Sequence, residues 1–133
     1  MDGRALLDTD VIVEHLRGRE QARQFVRGLQ VAGFASAVTV AELFAGVKGE
    51  EEEDRLRRLL HAFEILPVTP AAAELAGAFR RTYGRSHGTG LTDALIAAAA
   101  ETQGATLYTF YVRHFPMLRD VRAPYKRVPS RGK

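Results

Sequence analysis

The 133-residue chain contains no cysteine. This absence excludes disulfide bonds, thiolate metal ligands and a cysteine nucleophile, and it agrees with a reducing compartment. Any metal ion must therefore be bound through oxygen or imidazole. The N-terminus also lacks the basic start and apolar core of a signal peptide, and no apolar run approaches the roughly 20 residues of a membrane helix. We expect a cytoplasmic protein without membrane association.

The remaining composition is that of a globular protein, with 46% hydrophobic and 26% charged residues, which argues against a disordered or fibrous chain. The charge is unevenly distributed: residues 1–66 carry nine Lys or Arg against twelve Asp or Glu, whereas residues 67–133 carry ten against four. Arginine supplies 16 of the 19 cations, and its planar guanidinium suits phosphate. The basic half is compatible with a polyanionic partner or with an ordinary solvated surface.

Short apolar strands alternate with helices in the hydrophobic pattern. We expect the strands at "RALL", "VAGFASA", "EILPV" and "ATLYTF". This alternation is typical of an α/β fold with a central, mainly parallel sheet flanked by helices. We expect a single domain over residues 1–123, followed by a basic, loosely held C-terminal tail over residues 124–133.

Three helical regions carry signals at their ends. The five consecutive acids of residues 50–54 are interpreted as the solvated start of a helix rather than as a metal site. Thr69 and Pro70 predict the start of an alanine-rich helix that ends near Thr82, and "YGRSHGTG" predicts a loop. The segment "LTDALIAAAAETQG" predicts a further helix with a glycine stop.

Three acids occur in apolar surroundings, each at a turn into a helix. Asp8 follows the first predicted strand, at the sheet edge where α/β folds bind ligands, and a carboxylate buried there needs a partner. Glu42 and Asp93 lie in first helical turns, where local readings remain open: Glu42 fits a capping box with Thr39, and Thr92 or Asp93 fits an N-cap. If the three acids converge, only a hard cation such as Mg²⁺ or Mn²⁺ would relieve their repulsion.

Four stretches, "LLDTDVIVEHL", "SAVTVAELFAG", "HGTGLTDALIAAAA" and "LYTFYVRHFPML", resemble in order and spacing the PIN-domain ribonucleases, most closely the VapC-type toxins of toxin–antitoxin pairs. The resemblance implies a Rossmann-like three-layer α/β fold, a metal-dependent endoribonuclease activity, a homodimer and a small antitoxin partner. It also implies an acidic metal site, with Mg²⁺ or Mn²⁺ bound by Asp8, Glu42 and Asp93.

The sequence departs from the family pattern at Tyr111. The family usually carries Asn or Asp two residues after the position of Thr109, and a neutral phenol is a poor Mg²⁺ ligand. We therefore retain an alternative function, a catalytically weakened PIN-like protein that binds RNA or an antitoxin without cutting. Phe110 and Tyr111 could instead simply pack aromatic rings at the end of a strand.

Three further residues have auxiliary interpretations. Asp10 could cap the first helix or bind a metal-bound water. The resemblance suggests that Thr109 orients an acid or a water, and His114 could contact phosphate or fill the surface.

For the reaction we predict in-line attack by metal-activated water, which leaves a 5′-phosphate. The RNA-binding candidates lie in the basic second half of the chain, and exposed single strands or loops are the expected substrate. These candidates are Arg80, Arg81, Arg85 and Arg113. The same arginines could instead bind an acidic segment of the antitoxin.

Overall fold

The computed structural model describes residues 3–29 and 31–127. Over these residues, five strands form one sheet in the order β3-β2-β1-β4-β5, and every neighbouring pair is parallel. The strands are β1 (Arg4–Leu7), β2 (Ala32–Ser36), β3 (Glu64–Leu66), β4 (Thr106–Tyr108) and β5 (Val121–Arg122). The predicted α/β fold with a central parallel sheet is confirmed.

Helices connect the strands and cover the sheet. In chain order they are α1 (Thr9–Leu16), α2 (Glu20–Arg27), α3 (Ala37–Gly46), α4 (Gly49–Leu60), α5 (Pro70–His87) and α6 (Leu91–Gln103), and a 3-10 turn covers Val112–His114. The acidic run lies in the first turns of α4, as predicted. Among these described helices, none is long and apolar enough to span a bilayer.

The end of α5 differs from the prediction. Thr69 caps the helix and Pro70 opens it as expected, but the helix continues to His87, so the loop predicted over residues 83–90 is wrong for its first five residues. The stop signal is Gly88, which has a φ of +68° and closes the helix in the left-handed conformation. Gly84 inside the segment did not end the helix because packing and the upstream alanines outweigh the weak propensity of one glycine.

The pleat of β1 divides the core between the two faces of the sheet. Leu6 packs with Ile96 of α6 on one face, whereas Ala5 and Leu7 pack on the other face in a cluster with Leu56 of α4. These three residues of the four-residue strand are fully buried. A continuous apolar run is therefore required in this strand, because a central parallel strand has helices on both sides.

A third apolar cluster joins α5 to α6 through small side chains. Ala72 and Ala76 of α5 face Ala94 and Ala98 of α6, and all four are buried. Alanine at the contact allows the helix axes to approach closely. This packing fixes the start of α6, which carries Asp93.

The strand order creates a crevice at the middle of the sheet. From β1 the chain adds β2 and β3 on one side, and β4 and β5 then add on the other side of β1. The carboxyl ends of β1 and β4 consequently flank the point where the order reverses, which is where open α/β sheets bind ligands.

The described part of the C-terminal segment contacts the domain next to this crevice. Tyr125 packs edge-on against Phe110, with ring centroids 5.2 Å apart, and the Arg127 guanidinium lies 4.4 Å from the centre of the Phe110 ring. Residues 128–133 lie outside the described residues. The division into a domain over 1–123 and a tail over 124–133 stays a prediction.

Candidate active site

Asp8 lies at the carboxyl end of β1, in the centre of the sheet, and is the N-cap of α1. Its main-chain N–H extends the β1–β4 ladder by donating to the Tyr108 carbonyl at 2.9 Å. The side chain is only 6% exposed, and Oδ1 accepts a hydrogen bond from the Thr9 N–H at 2.8 Å. The apolar strand thus ends at an acid that starts the next helix and faces the crevice.

Thr109 is the counterpart of Asp8 after β4, and it is fully buried. Its hydroxyl donates to Asp8 Oδ2 at 2.8 Å and accepts the Tyr111 N–H at 3.1 Å. Both oxygens of Asp8 therefore have a donor within the protein, which fixes the plane of the carboxyl group.

Asp10 lies in the first turn of α1, and the interpretation that it caps this helix is wrong because Asp8 is the cap. Its Oδ2 accepts the Phe110 N–H at 2.9 Å and joins α1 to the segment after β4. Its Oδ1 is buried and has no hydrogen-bond partner among the described residues. A buried oxygen left without a donor has the capacity to bind water or a cation.

Glu42 lies in the second turn of α3. The N-cap of this helix is Ser36, whose Oγ accepts the Val38 N–H at 3.0 Å, so the predicted capping box between Thr39 and Glu42 is wrong. Glu42 Oε1 instead accepts the Thr9 hydroxyl at 2.5 Å. The bond links the start of α1 to α3 at the mouth of the crevice.

Asp93 is the third residue of α6, and Gly90 is the N-cap, so neither Thr92 nor Asp93 is the cap. Asp93 Oδ2 accepts the Gly90 N–H at 3.1 Å and lies 3.5 Å from His114 Nδ1. The carboxylate stabilises the positive end of the helix, while its half-buried position leaves it open to the crevice.

The acids share one cleft of about 330 Å³. Its lining includes Asp8, Thr9, Asp10, Val13, Glu14, Arg17, Glu42, Thr92, Asp93, Ile96, Tyr111 and Arg127. The structure therefore brings the three acids predicted from distant parts of the chain to the same cavity. Within the described chain, however, no three His, Asp or Glu side chains surround a common point as metal ligands would. The shared cation stays a prediction.

Burial perturbs the two aspartates at the bottom of the cleft. Burial raises the pKa of Asp8 from its ordinary value of 3.8 to about 7, and the nearby Asp10 and Asp93 carboxylates add to the shift. Hydrogen bonds from Thr109 and Thr9 oppose it. Burial also raises the pKa of Asp10, against the effects of the Phe110 N–H and the Arg127 charge. Burial thus disfavours the charged form of both carboxyl groups.

Phe110 and Tyr111 have different surroundings. Phe110 packs among the rings and cation of the C-terminal segment, as the packing alternative expected. Tyr111 lines the cleft, is 48% exposed, and has its ring stacked on that of His114. Packing at a strand end therefore explains Phe110 and does not explain Tyr111.

The predicted RNA-binding arginines lie elsewhere on the surface. All four are exposed, and none is among the residues that line the cleft; they are Arg80, Arg81, Arg85 and Arg113. The cations that do line it are Arg17 and Arg127, which the sequence reasoning missed. Glu14 was also missed, although its place four residues after Asp10 puts both acids on one face of α1.

Comparison with known proteins shows the family of the chain. The PIN domain family matches residues 5–111. Ribonuclease VapC10 of Mycobacterium tuberculosis is 40% identical over 123 residues, which cover 90% of this chain and 92% of that protein. Ribonuclease VapC19 of the same organism is 39% identical over 126 residues, covering 90% and 98%.

The fold also matches a solved toxin–antitoxin complex from Klebsiella pneumoniae, with a TM-score of 0.79, 29% identity, and coverage of 91% of this chain and 98% of that chain. The chain belongs to the PIN domain family. The family resemblance and the ribonuclease class predicted from the sequence are confirmed.

Proposed function

We propose that this chain is the toxin of a type II toxin–antitoxin pair and acts as a metal-dependent endoribonuclease. The observation that carries the proposal is the convergence of Asp8, Asp10, Glu42 and Asp93 on one cleft at the switch point of the sheet. Relatives named as ribonucleases and the structural match to a toxin–antitoxin complex support it.

The donors of the cleft suit a hard divalent cation. They are carboxylate oxygens, one of which is buried and has no partner in the described part of the chain, and burial has raised the pKa of Asp8. In the proposal Asp8, Glu42 and Asp93 hold Mg²⁺ or Mn²⁺. Such an ion, when bound, would lower the pKa of water and neutralise negative charge at the scissile phosphate.

The chain's own residues position the reaction. Thr109 and the Thr9 N–H fix Asp8, and the Phe110 N–H fixes Asp10, whose buried Oδ1 has no hydrogen-bond partner within residues 3–29 and 31–127. Water attacks phosphorus in line, the bond from phosphorus to the 3′-oxygen breaks, and a proton from water ends on that oxygen. The products carry a 5′-phosphate and a 3′-hydroxyl.

We also propose that the chain forms a homodimer and binds a cognate antitoxin. The support for an antitoxin partner is the structural match to the Klebsiella pneumoniae toxin–antitoxin complex, which extends over 98% of the matched chain of that complex. Light scattering of the purified chain alone tests the homodimer, and a monomer would refute it. Light scattering after co-expression with the protein encoded beside it tests the antitoxin, and the absence of a complex would refute that part.

The function is tested by incubating the purified chain with structured RNAs in Mg²⁺, in Mn²⁺ and in EDTA. We expect cleavage only with a divalent cation, and products whose 5′-phosphate permits ligation. Asp8→Asn should lower the rate about 100-fold or more, because one cation-binding charge is lost. Cyclic 2′,3′-phosphate ends would refute the mechanism.

A matched control is Glu74→Gln, which makes the same chemical change at an exposed position of α5. We expect it to cleave like the parent chain. If the parent chain binds RNA equally well with and without Mg²⁺ and yields no cut products, the alternative of a catalytically weakened binding protein is correct instead.

A further inference from the structure

The exposed aromatic side chain of Tyr111 lies beside the acids, in a cleft that we propose binds RNA. The ring is stacked on the His114 imidazole, with centroids 5.4 Å apart and an interplanar angle of 10°. Other aromatic pairs of the described chain, such as Phe25 with Tyr108 and Phe110 with Tyr125, meet edge-on. A parallel pair with half of the tyrosine exposed presents a flat surface for a further ring.

Two sets of contacts connect this pair with Asp8 and with Asp93. The Tyr111 N–H donates to Thr109 Oγ1 at 3.1 Å, and the same hydroxyl donates to Asp8 at 2.8 Å. On the other side, His114 Nδ1 lies 3.5 Å from Asp93 Oδ2. The stacked pair is therefore attached at one end to Asp8 and at the other to Asp93.

Hydrogen bonds in and around the 3-10 turn hold the main chain that carries the pair. The His114 N–H donates to the Tyr111 carbonyl at 2.9 Å, and the His114 carbonyl accepts the Thr89 hydroxyl at 2.6 Å. Thr89 is itself buried. The main chain beneath the Tyr111 ring is therefore held in place close to the carboxylates.

The geometry points to Tyr111, backed by His114, as a stacking platform for a nucleobase of single-stranded RNA next to the scissile phosphate. This inference rests on the proposed function, because a base reaches the platform only if RNA enters the acidic cleft. Arg17 and Arg127 line the same cleft and supply charge for the adjoining phosphates. Stacking on aromatic rings is a general mode of binding unpaired bases.

The test measures binding of the parent chain, in EDTA to prevent cleavage, to single-stranded RNAs that carry 2-aminopurine at successive positions. We expect fluorescence quenching at one position only. Tyr111→Phe keeps the ring and should bind within about 2-fold of the parent, whereas Tyr111→Leu keeps apolar volume and should bind roughly 5- to 100-fold more weakly and lose the quenching. An abasic site at the quenched position should remove the difference between parent and Tyr111→Leu.

The matched control is Tyr83→Leu. Tyr83 also contacts a histidine, His87, but edge-on at 78° and outside the residues that line the cleft. We expect unchanged binding. The platform proposal would be wrong if Tyr111→Leu bound RNA as tightly as the parent chain. It would also be wrong if Tyr83→Leu lost as much RNA affinity as Tyr111→Leu.

Cleavage in Mg²⁺ is measured in parallel and separates the two proposals. Cleavage without position-specific quenching refutes the platform and keeps the ribonuclease. Quenching at one position without cleavage keeps the platform and refutes the ribonuclease. Absence of RNA binding refutes the platform.

Discussion

At the scale of single residues, Asp8 makes folding depend on pH. Its pKa is 3.8 ordinarily and about 7 in the folded chain, mainly because of burial. Between these values the folded state binds a proton that the unfolded state has lost, so stability decreases as the pH rises from about 4 to 7 and then levels off. Asp10 contributes in the same direction, because burial raises its pKa too.

We therefore predict that Asp8→Asn, in EDTA, gains stability relative to the parent chain across this interval, by the order of a few kcal/mol at pH 8. The amide removes the charge but can still accept the Thr9 N–H. Urea unfolding at pH 4, 5, 6, 7 and 8 measures the difference. A difference that stays constant with pH would show that Asp8 is not held in its protonated form.

Thr109 gives a second prediction at this scale. Its buried hydroxyl donates to Asp8, and replacement by valine keeps the volume but leaves the carboxyl without that donor. We expect Thr109→Val to destabilise the chain by about 1–3 kcal/mol and to raise the pKa of Asp8 further. Thr109→Ser retains the hydroxyl, so its free energy of unfolding, measured in urea, should fall by less than half as much. Equal losses would assign the effect to packing.

At the scale of secondary-structure elements, two glycines with open surroundings should respond in opposite directions. Gly104 closes α6 at a φ of +62°, and Gly77 lies inside α5 with ordinary helical backbone; an added Cβ would meet nothing within 4 Å at either. Gly104→Ala should cost about 1 kcal/mol because of the left-handed conformation, whereas Gly77→Ala should add about 0.5–1 kcal/mol.

Chemical denaturation of the two variants measures this contrast. Because neither site has a steric obstacle, the two results isolate backbone conformation. Stabilisation by both substitutions would mean that α6 does not end in the left-handed conformation.

At the scale of the whole molecule, two sets of arginines compete for the role of RNA contact. Arg17 and Arg127 line the cleft, and the arginines of the sequence-based prediction lie outside it. For each phosphate contact removed, the log–log salt slope of single-strand binding should flatten by about 0.7. We expect this for Arg17→Ala and for Arg127→Ala, together with slower cleavage at saturating RNA.

The matched comparison is Arg80→Ala combined with Arg81→Ala. If these residues contact RNA outside the cleft, their loss should flatten the slope and leave cleavage at saturating RNA unchanged. An unchanged salt slope for the Arg80 and Arg81 variant would show that these two residues do not contact RNA. An unchanged salt slope for the cleft variants would show the same for Arg17 and Arg127.

Much of the fold was predictable because its signals are local. The buried strand of residues 4–7, the Thr69–Pro70 helix start and the Gly104 stop all depend on neighbouring residues, and the structure has each of them. The end of α5 was not predictable in this way. Gly84 and Gly88 look alike in sequence, and only the left-handed backbone at Gly88 ends the helix.

The candidate site shows the same division. The sequence by itself determined the family, the parallel sheet and the acids that follow its strands, because periodicity and motifs depend on residue type and spacing. Only the tertiary structure decided the partners: Glu42 with Thr9, Asp10 with Phe110, and Arg127 at the cleft. The two hydrogen bonds join residues 33 and 100 positions apart in the chain. A hydrogen bond over such a separation exists only once strand order has brought its two ends together.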